Sequence, residues 1–308
     1  LLQMINILGP ISVITAIGYL FGRSSVRLET QTLSALVILV ATPALIFSAL
    51  TSLNVSLDVI GSMATAAFLC LLISAAIGFL TLKVLGKSIR SFLPTLMFPN
   101  SGNMGLPLVI LTFGDEGALL GVAYFFIIAL AQHSLGLSIY AGSIRVQTLL
   151  RQPLIYSIIA VLLVTAFAIP VPQVIVTTTE MLGGMMIPAM LLLLGTSLAT
   201  LKTSDLGPAL VIAVIRLLLG VVSALIVIIL LDLRGASAGV VFLLATMPIA
   251  IINYVLAERF QYNPEQVAGT VVASTVLTFI CLPALVWLAL ALSKSQFPFS
   301  ALLVRNGA

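Results

Sequence analysis

Charge is what this chain has least of. Only 7% of its residues are Asp, Glu, Lys or Arg, and its mean hydropathy is +1.29. A soluble domain carries about 25% charged residues, so a water-exposed globule is excluded and an integral membrane protein is expected. The 13 basic residues are scattered over short connections. None forms a run that could follow a phosphate backbone, which excludes nucleic acid as a partner despite the net charge of +4. Cysteine is scarce as well: Cys70 and Cys281 both fall in apolar stretches and read as small core residues, with no disulfide or metal pair. No basic residue precedes the first apolar stretch, which reads as a span and not as a cleaved signal. Catalytic patterns are missing too. There is no HExxH and no pair of intramembrane aspartates, and Ser134 beside His133 faces a different side of its helix. An intramembrane protease is therefore rejected, and no enzyme activity, cofactor or metal is expected.

In place of charge, the chain has a series of apolar runs of the length a bilayer demands, roughly 20 residues each. Ten are expected, at about 4–22, 31–50, 57–82, 91–113, 116–142, 153–170, 173–200, 206–230, 236–256 and 265–292. The fold class is thus all-α and multi-pass. Connections after odd-numbered spans hold nine basic residues (Arg23, Arg27, Lys83, Lys87, Arg90, Arg145, Arg151, Lys202 and Arg259), against Arg234, Lys294 and Arg305 on the other side. Basic loops stay in the cytoplasm, so both termini are expected outside the cell membrane.

Five landmarks recur in order. Pro10 and Pro153, Pro43 and Pro188, Asp58 and Asp205, Pro99 and Pro248, and Glu116 and Glu265 are separated by 143, 145, 147, 149 and 149 residues. The chain therefore reads as two five-span repeats, 1–145 and 146–308. Five is odd, so the second repeat inserts upside down, the inverted-repeat organisation of secondary transporters.

Spans four and nine are interrupted at matching places. "FPNSGNMGLP" (98–107) concentrates poor helix formers at membrane depth, and "MPIAIINY" (247–254) is its counterpart. Such breaks are tolerated where backbone is buried in protein or lines a wet cavity. A half-helix is expected to restart near Leu106 with Pro107 in its first turn. Another is expected near Asn253, which would cap it. Their N-terminal ends would face one another and attract an anion. The expected substrate site comprises Asn100, Ser101, Gly102, Asn103, Gly105, Pro107, Pro248 and Asn253. Ionisable groups within spans are further candidates. His133, the one histidine, reads as a proton carrier or as a neutral ring bonded within the bundle. Arg216 reads as an anion attractor, a partner for a carboxylate, or a side chain reaching for the interface. Glu180, near the outer end of span seven, reads as interfacial.

"PNSGNMGLPL" (99–108) resembles the fourth-span signature of the auxin efflux carrier family, in its bacterial branch. "IPAMLLLLGTSLA" (187–199) is similar to that family's seventh span, and 247–283 to its last two. The resemblance implies a fold of the bile acid:sodium symporter type. A scaffold would comprise 1–50 and 153–200, and a mobile transport domain 57–142 and 206–292. It also implies transport of organic anions such as auxin, malate or malonate, a homodimer through the scaffold, and Asn100 and Pro107 as substrate-site and crossing positions. The chain departs from the plant members by having Asn253 where they have proline, and by lacking their long cytoplasmic loop. Plant-type regulation and auxin specificity do not carry over.

The reading is therefore a carrier of small organic anions working by alternating access. Interrupted, inverted halves favour this over an anion channel. A sodium- or proton-coupled symporter is the alternative. No Asp or Glu is expected near the break in span four or span nine, which tilts the expectation toward uncoupled efflux. An interior negative by 100 mV expels an anion with about 2.3 kcal/mol per charge.

Overall fold

A computed structural model describes residues 2–25, 29–52, 57–142, 156, 159–160, 163–164, 167, 169–201 and 206–294. Ten of the eighteen residues of expected span six (153–170), including Pro153, lie outside them, as do Arg27, Arg145, Arg151, Lys202, Asp205, Arg305 and the boundary between the two repeats. The described residues are helical, apart from one isolated β-bridge and the connections.

Helix α1 covers Leu2–Arg23; α2 (Thr30–Leu36) and α3 (Thr42–Ser52) are joined by a π-helical turn, Val37–Ala41. Next come α4 (Leu57–Val84) and α5 (Ile89–Met97), then a second π-helical turn, Ser101–Gly105, running into α6 (Leu106–Ala131). A third π-helical turn, Gln132–Gly136, leads to α7 (Leu137–Ala141). The later part holds α8 (Gln173–Gly184), α9 (Met186–Thr200), α10 (Leu206–Leu230), α11 (Gly235–Thr246), α12 (Ile252–Phe260) and α13 (Pro264–Lys294). Six of these helical stretches are long and apolar enough to cross a membrane: Ile5–Arg23, Asp58–Val84, Ser101–Ala141, Gln173–Thr200, Gly207–Leu230 and Pro264–Lys294. The others are shorter.

Local chemistry explains where the short helices stop. Ser88 starts α5, its side chain accepting from the Ser91 amide at 3.3 Å. That helix ends one residue before the Phe98–Pro99 pair, and α11 ends the same way before Met247–Pro248. A residue preceding proline is pushed into extended backbone; Phe98 has φ −103°, ψ 105° and Met247 has φ −61°, ψ 152°. Further along, α6 is not one straight rod. Gly114 has φ 63°, ψ −142°, a conformation that favours glycine, and it divides the helix into 106–113 and 115–131.

Packing derives from the apolar faces. Helix α1 runs along α9, and Thr196 Oγ1 donates to the Gly18 carbonyl at 3.0 Å between them. Helix α3 lies on α8. A second body of contacts joins α4, α5, α6, α10, α11 and α13 around a core that includes Met63, Leu106, Val109, Phe242 and Leu244. Cys70 is buried and Cys281 partly buried, and both are free, as their apolar settings suggest.

Candidate functional site

The two interruptions meet. The Asn100 amide donates to the Pro248 carbonyl at 2.7 Å, and the Ala250 amide donates to the Phe98 carbonyl at 3.2 Å. Pro99 and Ile249 thereby form a single antiparallel β-bridge. The Ile249 amide donates to Ser274 Oγ of α13 at 3.1 Å. Backbone polar groups that cannot reach water must find protein partners, and here each break supplies them to the other.

Asn100 also caps the π-helical turn that leads into α6. Its side-chain oxygen accepts from the Asn103 amide at 3.2 Å, and its carbonyl accepts from the Gly105 amide at 3.0 Å. Pro107 follows this turn, so helical backbone restarts at Ser101, five residues before the expected Leu106. The second half-helix differs from the sequence expectation. Asn253 does not cap α12. A capping residue needs extended backbone, but the position before the helix is Ile251, already helical at φ −58°, ψ −31°, and no side chain caps there. Asn253 instead lies inside the first turn, fully buried, with neither side-chain polar atom hydrogen-bonded.

One wall of a cavity of about 560 Å³ is built from this crossing. Pro99, Asn100, Ser101, Gly102 and Asn103 line it from the first break, and Ala250, Ile251 and Ile252 from the second. Phe125, Ala129, Leu130, Gln132 and His133 add the fifth span. Further lining comes from α2, the π-helical turn after it and α3, through Thr30, Ser34, Val37 and Thr42, and from α9, through Met190, Leu193, Ser197 and Thr200. Tyr254, Val255 and Glu258 continue the lining along α12. The lining includes Thr30 at the start of α2, Thr200 at the end of α9 and Glu258 in the last turn of α12.

Every π-helical turn among the described residues contributes to this cavity, through Val37, through Ser101–Asn103, and through Gln132 and His133. A π turn widens the helix and shifts the register of the residues beyond it, and it is found frequently at functional sites. The polar groups here are also underused. Asn100 Nδ2 and Gln132 Nε2 are buried without hydrogen-bond partners, in residues only 4% and 7% exposed. Buried donors of this kind call for an explanation, and a ligand in the adjoining cavity provides one. His133 is anchored by Nδ1 to the Ala129 carbonyl at 2.8 Å. A carbonyl accepts only, so Nδ1 carries the proton and Nε2 is the ring's remaining polar atom. With the start of both half-helices at one end, the inner part of the cavity presents donors and positive dipole ends.

The structure therefore brings Asn100, Ser101, Gly102, Asn103 and His133 onto one cavity. Gly105, Pro107 and Pro248 are buried behind the crossing, and Asn253 is enclosed in protein; these four do not line it. Arg216 is separate too. It is 2% exposed, and Nη2 donates to the Ala245 carbonyl at 2.8 Å while Nε and Nη1 have no partner. That carbonyl belongs to the last turn of α11, so the guanidinium sits at the negative end of the helix that leads into the break. One turn along α10, Gly220 presses on the same carbonyl: a Cβ there would lie 2.4 Å from it. No carboxylate pairs with Arg216 among the described residues.

Sequence reasoning misses the hydroxyl-bearing wall, Tyr254 and Glu258. Glu258 is only four residues beyond the second break, and α12 carries it along the cavity, which corrects the expectation that no carboxylate lies near either break. Its Oε1 accepts from the Tyr254 hydroxyl at 2.8 Å, one helical turn away. The i, i+4 spacing is the signal that places both on one face.

A family described as membrane transport protein matches residues 4–145 and 141–288. An uncharacterized transporter of Methanothermobacter thermautotrophicus is 26% identical over 268 residues, covering 83% of this chain and 87% of that protein. Another, from Methanocaldococcus jannaschii, is 23% identical over 280 residues, covering 85% and 90%. The chain belongs to the membrane transport protein family, that of the auxin efflux carriers its fourth-span motif resembles.

Proposed function

We propose that this multi-pass transporter is a secondary carrier of small organic anions, with its substrate held at the crossing of the two interrupted spans. The observation that carries the reading is the cavity itself. One wall is the pair of bridged breaks with their unpartnered amide donors, and further lining comes from α2, α3 and α9. A site shared between two packed groups of helices is what alternating access requires, because sliding one group past the other exposes it to either side. In this reading 1–50 and 153–200 form a static scaffold, through which two copies dimerise. The mobile part is 57–142 and 206–292, and ten spans are arranged as two inverted repeats. Extensive packing of α1 on α9 and of α3 on α8 supports the grouping.

With the odd-numbered connections in the cytoplasm of a cell membrane, the cavity faces inward, ready to load an anion for export. Export needs no coupling ion, since the membrane potential drives it. His133 on the cavity wall gives specific support to a second, proton-coupled reading. The test is reconstitution. Purified carrier in liposomes, offered labelled auxin, malate, malonate and other monocarboxylates, should show saturable flux for at least one. Flux for none of them removes the organic-anion reading.

A further inference from the structure

The cavity is chemically two-ended. At the crossing, the N-terminal ends of two half-helices meet the unpartnered amides of Asn100 and Gln132. At the other end stands the carboxylate of Glu258, bonded to the Tyr254 hydroxyl, with no Lys or Arg in the lining among the described residues. The adjacent Arg259 lies over the Phe260 ring, 5.7 Å from its centre, and is not part of the wall. His133, Tyr254 and Glu258 are the lining residues that can titrate. Between the ends the surface is largely apolar, with Phe125, Met190 and Leu193. Glu258 is about six residues along α12 from Ile252, which at 1.5 Å of rise per residue is about 9 Å.

From this polarity we propose that Glu258 is a specificity residue. The carrier selects a carboxylate with an apolar body whose far end is neutral or cationic, and Glu258 rejects a second carboxylate. This rests on the organic-anion reading above and narrows it. A carboxylate held at the crossing points its body toward Glu258. A far-end anion then meets a like charge with no cation among the described lining residues to offset it, whereas a far-end ammonium meets a partner. At separations near 5 Å in a wet cavity, the like-charge interaction amounts to a roughly fivefold change in affinity or more. Salt screens it, because the Glu258 end is open to water.

Three six-carbon probes isolate the effect: hexanoate, adipate and 6-aminohexanoate, each added to purified carrier at about pH 7.5 and low salt. Affinity is read from the ligand-dependent rise in melting temperature. Wild type should bind hexanoate at least about fivefold more tightly than adipate, with 6-aminohexanoate no weaker than hexanoate. Glu258→Gln should bring adipate up to hexanoate and weaken 6-aminohexanoate, while Glu258→Asp, which keeps the charge, should retain the wild-type order. Adipate equal to or tighter than hexanoate in wild type, or an unchanged order in Glu258→Gln, overturns the proposal. So does failure of all three probes to bind. The wider organic-anion reading falls only if the labelled carboxylates in liposomes fail as well.

Discussion

The Asn100 amide and the Pro248 carbonyl, which belong to different halves of the chain, are hydrogen-bonded at 2.7 Å. Each break would be intolerable alone in an apolar medium, where an unsatisfied backbone group costs several kcal/mol. Together they satisfy much of each other's exposed backbone and leave side-chain amides over for a ligand. The crossing is thus both a structural joint and the cavity's polar floor.

Orientation is the first consequence that can be checked. Lys87 and Arg234 are both exposed, in connections that the inverted reading assigns to opposite sides of the membrane. In a background lacking Cys70 and Cys281, Lys87→Cys should react with an impermeant maleimide only from the cytoplasm, and Arg234→Cys only from outside. Labelling of both from one side would contradict the inverted repeats.

A carrier also differs kinetically from a pore. Flux should saturate with substrate, and substrate preloaded on the far side should accelerate uptake of label. Single-channel current steps in a planar bilayer, with no such acceleration, would mean an anion channel.

Arg216 bears on the joint itself. Its hydrogen bond to the Ala245 carbonyl and the close seat of Gly220 on that same oxygen both hold the end of α11 at the break. Arg216→Met leaves the carbonyl without that donor, at a cost of roughly 1–3 kcal/mol. Gly220→Ala drives a Cβ against backbone that has little room to yield. Both should lower the melting temperature and reduce transport. Arg216→Gln, which keeps an N–H donor, should fall between Arg216→Met and wild type. Normal stability with lost transport in Arg216→Met would show instead that the charge acts on the substrate.

How much of this is legible in the sequence depends on how local each cause is. Proline and its predecessor fix their own backbone, so the stops at Phe98 and Met247 can be read directly; the restart cannot, because helical backbone begins at Ser101, capped by Asn100, and not near Leu106. Asn253 misleads because an asparagine near a helix start resembles a cap, whereas the deciding fact is the helical backbone of Ile251 before it. Thr30, Ser34, Ser197 and Thr200 are invisible as site residues for a different reason. A hydroxyl in a span can bond its own helix, as Thr200 does to the Thr196 carbonyl at 3.0 Å, so its presence says nothing about a cavity. Only the packing of α2 and α9 near the crossing gives those positions a common surface. Glu258, four residues past the second break, joins them because α12 lies along the cavity.

Asn100 and Asn103 separate substrate binding from packing. Both line the cavity, but they differ in what else they do. Asn100 holds the Asn103 amide through its side chain and keeps an unpartnered Nδ2, whereas the Asn103 side chain carries no cap. If the cavity takes an anion there, Asn103→Ala should weaken binding with little change in melting temperature. A hydrogen bond to a charged group contributes roughly 1.5–3 kcal/mol, about ten- to a hundredfold in affinity. Asn100→Ala should lose affinity and some stability together, since the cap goes too. Asn100→Asp separates the two effects: a carboxylate can still accept from the Asn103 amide, so stability should hold, but it offers no donor and places a negative charge where the anion would sit. Its binding should be the weakest of the three. Were Asn100→Asp to bind the carried anion as wild type does, the crossing would be a packing joint only, and the substrate would have to sit elsewhere.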